Sequence, residues 1–243
     1  MSYVMNYNII NSGDIKVNDN LEITELTLGD DYKHTILVID NFLQNPEDLL
    51  SIIEQYPIEL EWGKWGHPLN LKLPFIKMVF HYLGMKYFGM PEDAVKDPKE
   101  IELQLNLVNG GMPCNYTTIV PHIDPAMLAF SLYLNKDEDC KGGTAFFQHV
   151  PSGIDYQIGY FEESFRKTEK YWQIHETYRK AHKHNYEIEM DTRQLTDDWA
   201  IEYQVEMKFN RFVMHPSYIF HTAYIEKEWF QEEKRVSLAG FIQ

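Results

Sequence analysis

Cysteine, positive charge and long apolar runs are what this sequence has least of. Only two cysteines, Cys114 and Cys140, occur in 243 residues. That is too few for a disulfide framework and fits a reducing compartment. Lys and Arg number 22 against 37 Asp and Glu, a formal net charge of −15. Contacts to phosphate need clustered basic side chains, so the balance argues against nucleic acid and against an anionic membrane surface. No apolar run approaches the roughly 18 residues of a membrane span. Met1 to Ile10 lacks the basic and apolar regions of a secretory signal. The expectation is a soluble cytoplasmic protein.

What is present is ample core material, 44% hydrophobic and 14% aromatic residues. Residues 1–243 read as a single domain: 1–100 form a strand-helix support region, and 101–243 form the core. Residues 1–33 are weakly patterned and suit an irregular or edge-strand lead-in. The β-branched run His34–Asp40 predicts a buried strand. Asn45, Pro46 and two early acids predict a helix to about Tyr56, and Pro74 to Phe88 a second helix stopped by Gly89. Further strands are expected at Ile101–Val108, Met127–Leu134, Gly143–Val150, Asn210–Met214, Tyr218–Ile225 and Arg235–Ile242, with a charged turn at Lys136–Cys140. Many short strands between turn signals predict a mainly β fold with flanking helices, read here as a double-stranded β-helix (jelly roll).

The core is interrupted at 151–200. Tyr171, Ile174, Tyr178 and Ala181 fall on one face of a helix, and the surrounding stretch is locally basic. Two readings stand: a helix packed on the core with a solvated charged face, or a lid over an active-site mouth that favours an anionic substrate. His182 and His184 read as solvated surface.

The chemistry gathers around Val120-Pro121-His122-Ile123-Asp124 and Tyr218-Ile219-Phe220-His221. In an extended segment residues i and i+2 point the same way, so His122 and Asp124 can chelate one ion, with His221 as third ligand. Two histidines and one carboxylate hold non-haem Fe(II) on one face of an octahedron and leave the opposite face open. His215, at a turn before Pro216, is the competitor for the third position, and His149 an outsider. Downstream, Arg235 offers a permanently charged planar fork suited to a carboxylate. Ser237 would face the same side of its strand. The bland alternative for Arg235 is a surface salt bridge to Glu232-Glu233. Iron ligands followed by an anion anchor point to a 2-oxoglutarate-dependent oxygenase.

From His122 onward the chain resembles the 2-oxoglutarate/Fe(II) oxygenases, in particular the prolyl 4-hydroxylase-like branch. The resemblance rests on Pro121-His122-Ile123-Asp124, Ser131-Leu132-Tyr133-Leu134-Asn135, Gly142-Gly143-Thr144-Ala145-Phe146-Phe147, Asn210-Arg211-Phe212-Val213, His221 and Arg235-Val236-Ser237. Val38 to Leu43 is similar to the opening strand and turn of that group. The resemblance implies Fe(II) on His122, Asp124 and His221, and 2-oxoglutarate anchored by Arg235. It also implies that Tyr133 donates its hydroxyl to the same carboxylate. O2 is the second co-substrate and ascorbate a candidate reductant. The chain departs from the family in a long interval between His122 and His221, filled by 151–200, and in an extended loop from Glu226 to Lys234.

The reaction class expected is oxidation of a substrate C–H bond with release of succinate and CO2, as hydroxylation, desaturation or ring closure. A halogenase is disfavoured because Asp124 occupies a coordination position that a halide would need. Two alternatives stay open: a non-catalytic jelly-roll binding module, and a cupin-like metal enzyme with no use for 2-oxoglutarate. The expected substrate is a small or amino-acid-like molecule, with a protein substrate open. Trp62, Trp65 and Trp172 are candidate pocket walls, and a homodimer is allowed.

Overall fold

The β-branched run His34–Asp40 forms a strand over the expected residues, and so do Ile101–Val108 and Arg235–Ile242. The computed structural model describes residues 15–29, 33–55, 66–68, 73, 79–91, 101–115, 119–157, 167–183, 187–195 and 197–242. In chain order the strands are β1 (Glu22–Leu28), β2 (His34–Asp40), β3 (Gly66–Pro68), β4 (Ile101–Val108), β5 (Pro113–Asn115) and β6 (Leu128–Tyr133). They continue with β7 (Gly143–His149), β8 (Glu187–Glu189), β9 (Trp199–Glu206), β10 (Phe212–Pro216), β11 (His221–Tyr224) and β12 (Arg235–Ile242). The fold is mainly β.

Helix α1 (Pro46–Glu54) begins where Pro46 and the acids Glu47 and Asp48 predicted, and buries Leu49 and Ile53. The second expected helix is a π-helical turn, Phe80–Gly84, running into α2 (Met85–Phe88). Gly89 stops it at φ 62, a left-handed cap that glycine adopts without a Cβ clash. Residues 74–78 of that expectation lie outside the described residues. Helix α3 (Glu169–Lys183) forms within the basic interruption. Among the described residues no helix is long and apolar enough to cross a membrane.

The strands make a seven-stranded sheet in the order β1-β2-β10-β6-β12-β4-β3 and a three-stranded sheet, β11-β7-β9, with β5-β8 as a separate pair. Every described pairing is antiparallel. β1 is an edge strand, as the lead-in allowed. Side chains alternate strictly across the large sheet. Leu103, Leu105, Phe130, Leu132, Phe212, Met214 and Leu238 face a core shared with Leu49, Ile53 and Leu83 on the helical side. Val108, Tyr133 and Val213 face the other way, into a core shared with Phe146 and Val205 of the small sheet. The two sheets therefore close on one another. The far side of the small sheet packs Ala145, Phe147 and Trp199 against Ile174 of α3. The order is helices, large sheet, small sheet, α3.

Four strands escaped the sequence reading. β3, β5 and β8 are three residues each, and β9 starts at Trp199, inside the stretch assigned to the interruption. Two expected strands shift. The one at Asn210–Met214 starts at Phe212, because Asn210 sits at φ 58 and its amide caps the turn at Leu43. The one at Tyr218–Ile225 shortens to His221–Tyr224.

Candidate metal centre and anion pocket

His122 and His221 face each other as an isolated antiparallel bridge, each backbone N–H donating to the other's carbonyl at 3.0 Å. Two residues paired this way project their side chains to the same side. Asp124, two residues on, is pinned through its N–H to the Ser217 carbonyl at 2.9 Å. The ligand atoms of His122, Asp124 and His221 lie within 4.8 Å of one another. This is the trio the motif spacing selected.

Their protonation fits a cation. Nδ1 of His122 lies 3.1 Å from the Val120 carbonyl, and Nδ1 of His221 lies 2.9 Å from the Ile219 carbonyl. A carbonyl only accepts, so each Nδ1 carries the proton. The Nε2 atoms are turned to Asp124, at 4.0 Å from His122 and 3.1 Å from His221. Such outer partners fix ring orientation in metal-binding histidines. Burial opposes ionisation of Asp124, but the charge and hydrogen bond of His221 outweigh it and hold the carboxyl at about 2. Burial lowers the pKa of His122, helped by the charge of His221. In His221 burial is overcome by Asp124, and the pKa rises.

His215 is not part of the trio. It is buried beside His221, ring centroids 4.4 Å apart, with Nδ1 donating to the Pro216 carbonyl at 2.9 Å. Burial, then the charge of His221, holds it neutral down to about 3. His149 is elsewhere, between the hydroxyls of Ser152 and Thr177 at 2.8 and 2.9 Å.

A cavity of about 210 Å³ connects this trio to Arg235 and Ser237 on β12 and Thr144 on β7. Arg235 is only 2% exposed. Its guanidinium donates to Ser237 Oγ at 3.0 Å and, at a long 3.4 Å, to the Gly143 carbonyl, while its Nε has no partner. Among the described residues no carboxylate pairs with it. Glu232 and Glu233 are exposed, so the surface salt bridge is not made. Burial depresses the Arg235 pKa. Burying an ion costs several kcal/mol unless a counter-ion offsets it. The pocket therefore presents an uncompensated cation.

Tyr133 is fully buried under the guanidinium, 5.4 Å from ring centroid to the guanidinium carbon. Its hydroxyl is hydrogen-bonded to Thr144 Oγ1 at 2.7 Å. Thr144 lines the cavity and Tyr133 does not, but the Tyr133 side chain favours the charged form of Arg235. Thr144, Gln104, Asn106, Ser131, His215 and Thr222 complete the polar lining, and of these only His215 has a site role in the sequence reading, as the competing third ligand. The alternation of β4 and β7 places Gln104, Asn106 and Thr144 on the inner face. That signal becomes usable only once the sheet pairing is known.

The basic helix α3 lies on the outer face of the small sheet, away from the cavity. It is the packed-helix alternative, with Trp172 left 59% exposed. The side chain of His182, and His184, Trp62 and Trp65, lie outside the described residues.

No curated protein matches the chain. One family description matches, a family of unknown function, DUF6445, over residues 111–236. That span is just over half of the chain and contains His122, Asp124, His221 and Arg235. By this match the chain belongs to the DUF6445 family.

Proposed function

We propose that this protein is a 2-oxoglutarate- and Fe(II)-dependent dioxygenase built on a double-stranded β-helix. The observation that carries the reading is Arg235, a buried cation without a carboxylate, sharing one cavity with a His–Asp–His trio. The jelly-roll assignment draws support from the facing antiparallel sheets β2-β10-β6-β12-β4 and β11-β7-β9, with His122 bridged to the edge of the smaller one.

His122 Nε2, Asp124 and His221 Nε2 hold the metal. The Val120 and Ile219 carbonyls keep the protons on Nδ1 and so keep the lone pairs inward. Bound Fe(II) supplies the redox chemistry that couples oxidative decarboxylation of 2-oxoglutarate by O2 to oxidation of a substrate C–H bond. In hydroxylation, one oxygen atom enters succinate and the other the new hydroxyl, with CO2 released; ascorbate serves as an auxiliary reductant. Arg235 receives the far carboxylate of 2-oxoglutarate through its guanidinium, and Ser237 and Thr144 add hydroxyls. Tyr133 acts through Thr144, orienting that hydroxyl.

These roles use every charged group of the lining. The remaining polar lining, Gln104, Asn106, Ser131, His215 and Thr222, is uncharged. The substrate is therefore a small or amino-acid-like molecule with a neutral hydrogen-bonding group beside the reacting carbon. A protein substrate would enter as one side chain.

The test is anaerobic addition of Fe(II) and 2-oxoglutarate to metal-free protein, reading the visible metal-to-ligand charge-transfer band. The band is expected in wild type and absent in Asp124→Ala. Iron binding without the band favours a cupin-like enzyme that does not use 2-oxoglutarate. No iron binding leaves a binding module and ends the enzyme reading.

A further inference from the structure

Of the three metal-site side chains, His122 is the least enclosed: 35% exposed, against 13% for Asp124 and 11% for His221. Among the described residues its ring makes one hydrogen bond, to the Val120 carbonyl, and its main chain makes the two-bond bridge to His221. The residue before it, Pro121, has no N–H, so that peptide contributes no donor to a neighbouring strand. What holds this peptide from the outer side is α3. Tyr178 donates its hydroxyl to the Pro121 carbonyl at 2.7 Å. One residue earlier, Thr177 Oγ1 bonds His149 Nε2 at the end of β7, and Ile174 is fully buried in one cluster with Val120 and Phe147. The helix that interrupts the core thus grips the small sheet and the ligand-bearing segment together.

We infer that Tyr178 is a positioning residue for the metal centre: its hydroxyl, reaching Pro121 from α3, fixes the direction from which His122 meets the ion. The inference rests on the proposed metal site. It gives the interruption a task in that site although α3 never touches the cavity. The Val120 and Pro121 carbonyls flank the Pro121 peptide: one takes the His122 ring proton and the other takes the Tyr178 hydroxyl. Rotation of that peptide would loosen the ring's anchor as well as its main chain. Loss of an outer partner of a metal ligand typically costs 10- to 100-fold in affinity.

The experiment is Co(II) titration of the full, metal-free chain, read by ligand-field absorption, for wild type, Tyr178→Phe and Trp172→Ala. Tyr178→Phe keeps the ring and removes one oxygen. Thermal melting of each metal-free protein, well above the titration temperature, separates folding from site geometry. The expected result is a roughly tenfold weaker Kd and an altered absorption envelope for Tyr178→Phe, with Trp172→Ala unchanged. If Tyr178→Phe matches wild type in both Kd and spectrum, the positioning role is wrong. If it melts below the titration temperature, Tyr178 is a folding residue and the inference also falls. If wild type itself binds no Co(II), the metal site fails first, and that outcome is distinguishable from the others.

Discussion

His122 and His221 exchange both of their backbone hydrogen bonds at 3.0 Å, although 98 residues lie between them in the chain. The bridge makes the candidate metal centre a property of the β arrangement: the two rings stay 4.9 Å apart, centroid to centroid, so long as the pairing holds. His221 opens strand β11, and the bridge ties His122, outside the strands, to it. This is the kind of rigid support that sites of defined geometry require.

The same geometry separates His221 from its neighbour His215. His215→Gln is expected to leave Co(II) affinity within about twofold, because Nδ1 is bound to Pro216 and the ring stands outside the trio. His221→Gln removes a member of the trio. It should weaken binding beyond the roughly 10- to 100-fold of an outer-partner loss. Equal losses in the two variants, measured by titration, would show that the third ligand has been misassigned.

The trio and Arg235 were legible in the sequence because their signals are local: an i, i+2 pair, a histidine in an apolar run, an arginine opening a strand. Strands β2, β4 and β12 were legible for the same reason, as apolar or alternating runs bounded by turns. Thr144 was not, since a threonine on an apolar strand has no local mark until Tyr133 is seen to bond it. The cavity face of β4 was hidden likewise: Gln104 and Asn106 read as the polar half of an alternation. Strand β9 was missed although Trp199, Ile201, Tyr203 and Val205 alternate with Ala200, Glu202, Gln204 and Glu206, because its first two residues were assigned to the interruption. The basic face of α3 suggested an anionic substrate, but charge composition carries no information about which side of a sheet a helix covers.

Glycine at 143 is fixed by backbone and by space. Its φ is 147, a region L side chains rarely adopt, and a Cβ there would collide with the Val205 carbonyl across β9. Gly143→Ala should therefore destabilise by about 3 kcal/mol or more, adding strain to a steric clash. Urea melts would show it. A loss below about 1 kcal/mol would mean the start of β7 can shift without penalty.

His149 gives the fold a pH dependence. It is fully buried, and burial, only partly opposed by Asp198, lowers its pKa from 6.5 to about 4. The unfolded chain takes up the proton below about 6.5 and the folded chain only near 4. Between these values the unfolded state binds more protons, so stability falls as pH falls. The full shift corresponds to about 3 kcal/mol as an upper bound. His149→Asn should lower stability at pH 7, where the Thr177 and Ser152 bonds are lost. It should also flatten the stability curve between pH 6.5 and 4 relative to wild type. Parallel curves for the two proteins in chemical denaturation would remove His149 as the cause.

Arg235→Met separates an anion anchor from a structural cation. A structural arginine holds a carboxylate, and replacing it leaves a buried charge unpaired at a cost of about 3–5 kcal/mol. Arg235 touches neutral groups instead, the Ser237 hydroxyl, weakly the Gly143 carbonyl, and Tyr133 beneath it, with Nε unpartnered. Removing it takes away a desolvated charge whose burial is not offset within the protein. The ligand-free variant should accordingly melt no lower than wild type. Its 2-oxoglutarate affinity should fall about 10- to 100-fold, the equivalent of the roughly 1.5–3 kcal/mol carried by hydrogen bonds to a charged group. Fe(II) or Co(II) affinity should be unchanged, since Arg235 is no member of the ligand trio. Melting curves, a Co(II) titration, and a calorimetric titration of 2-oxoglutarate with metal present read the three quantities in turn. A variant that melts far lower while keeping its 2-oxoglutarate affinity would make Arg235 a structural cation, and the cavity would then have no anion site.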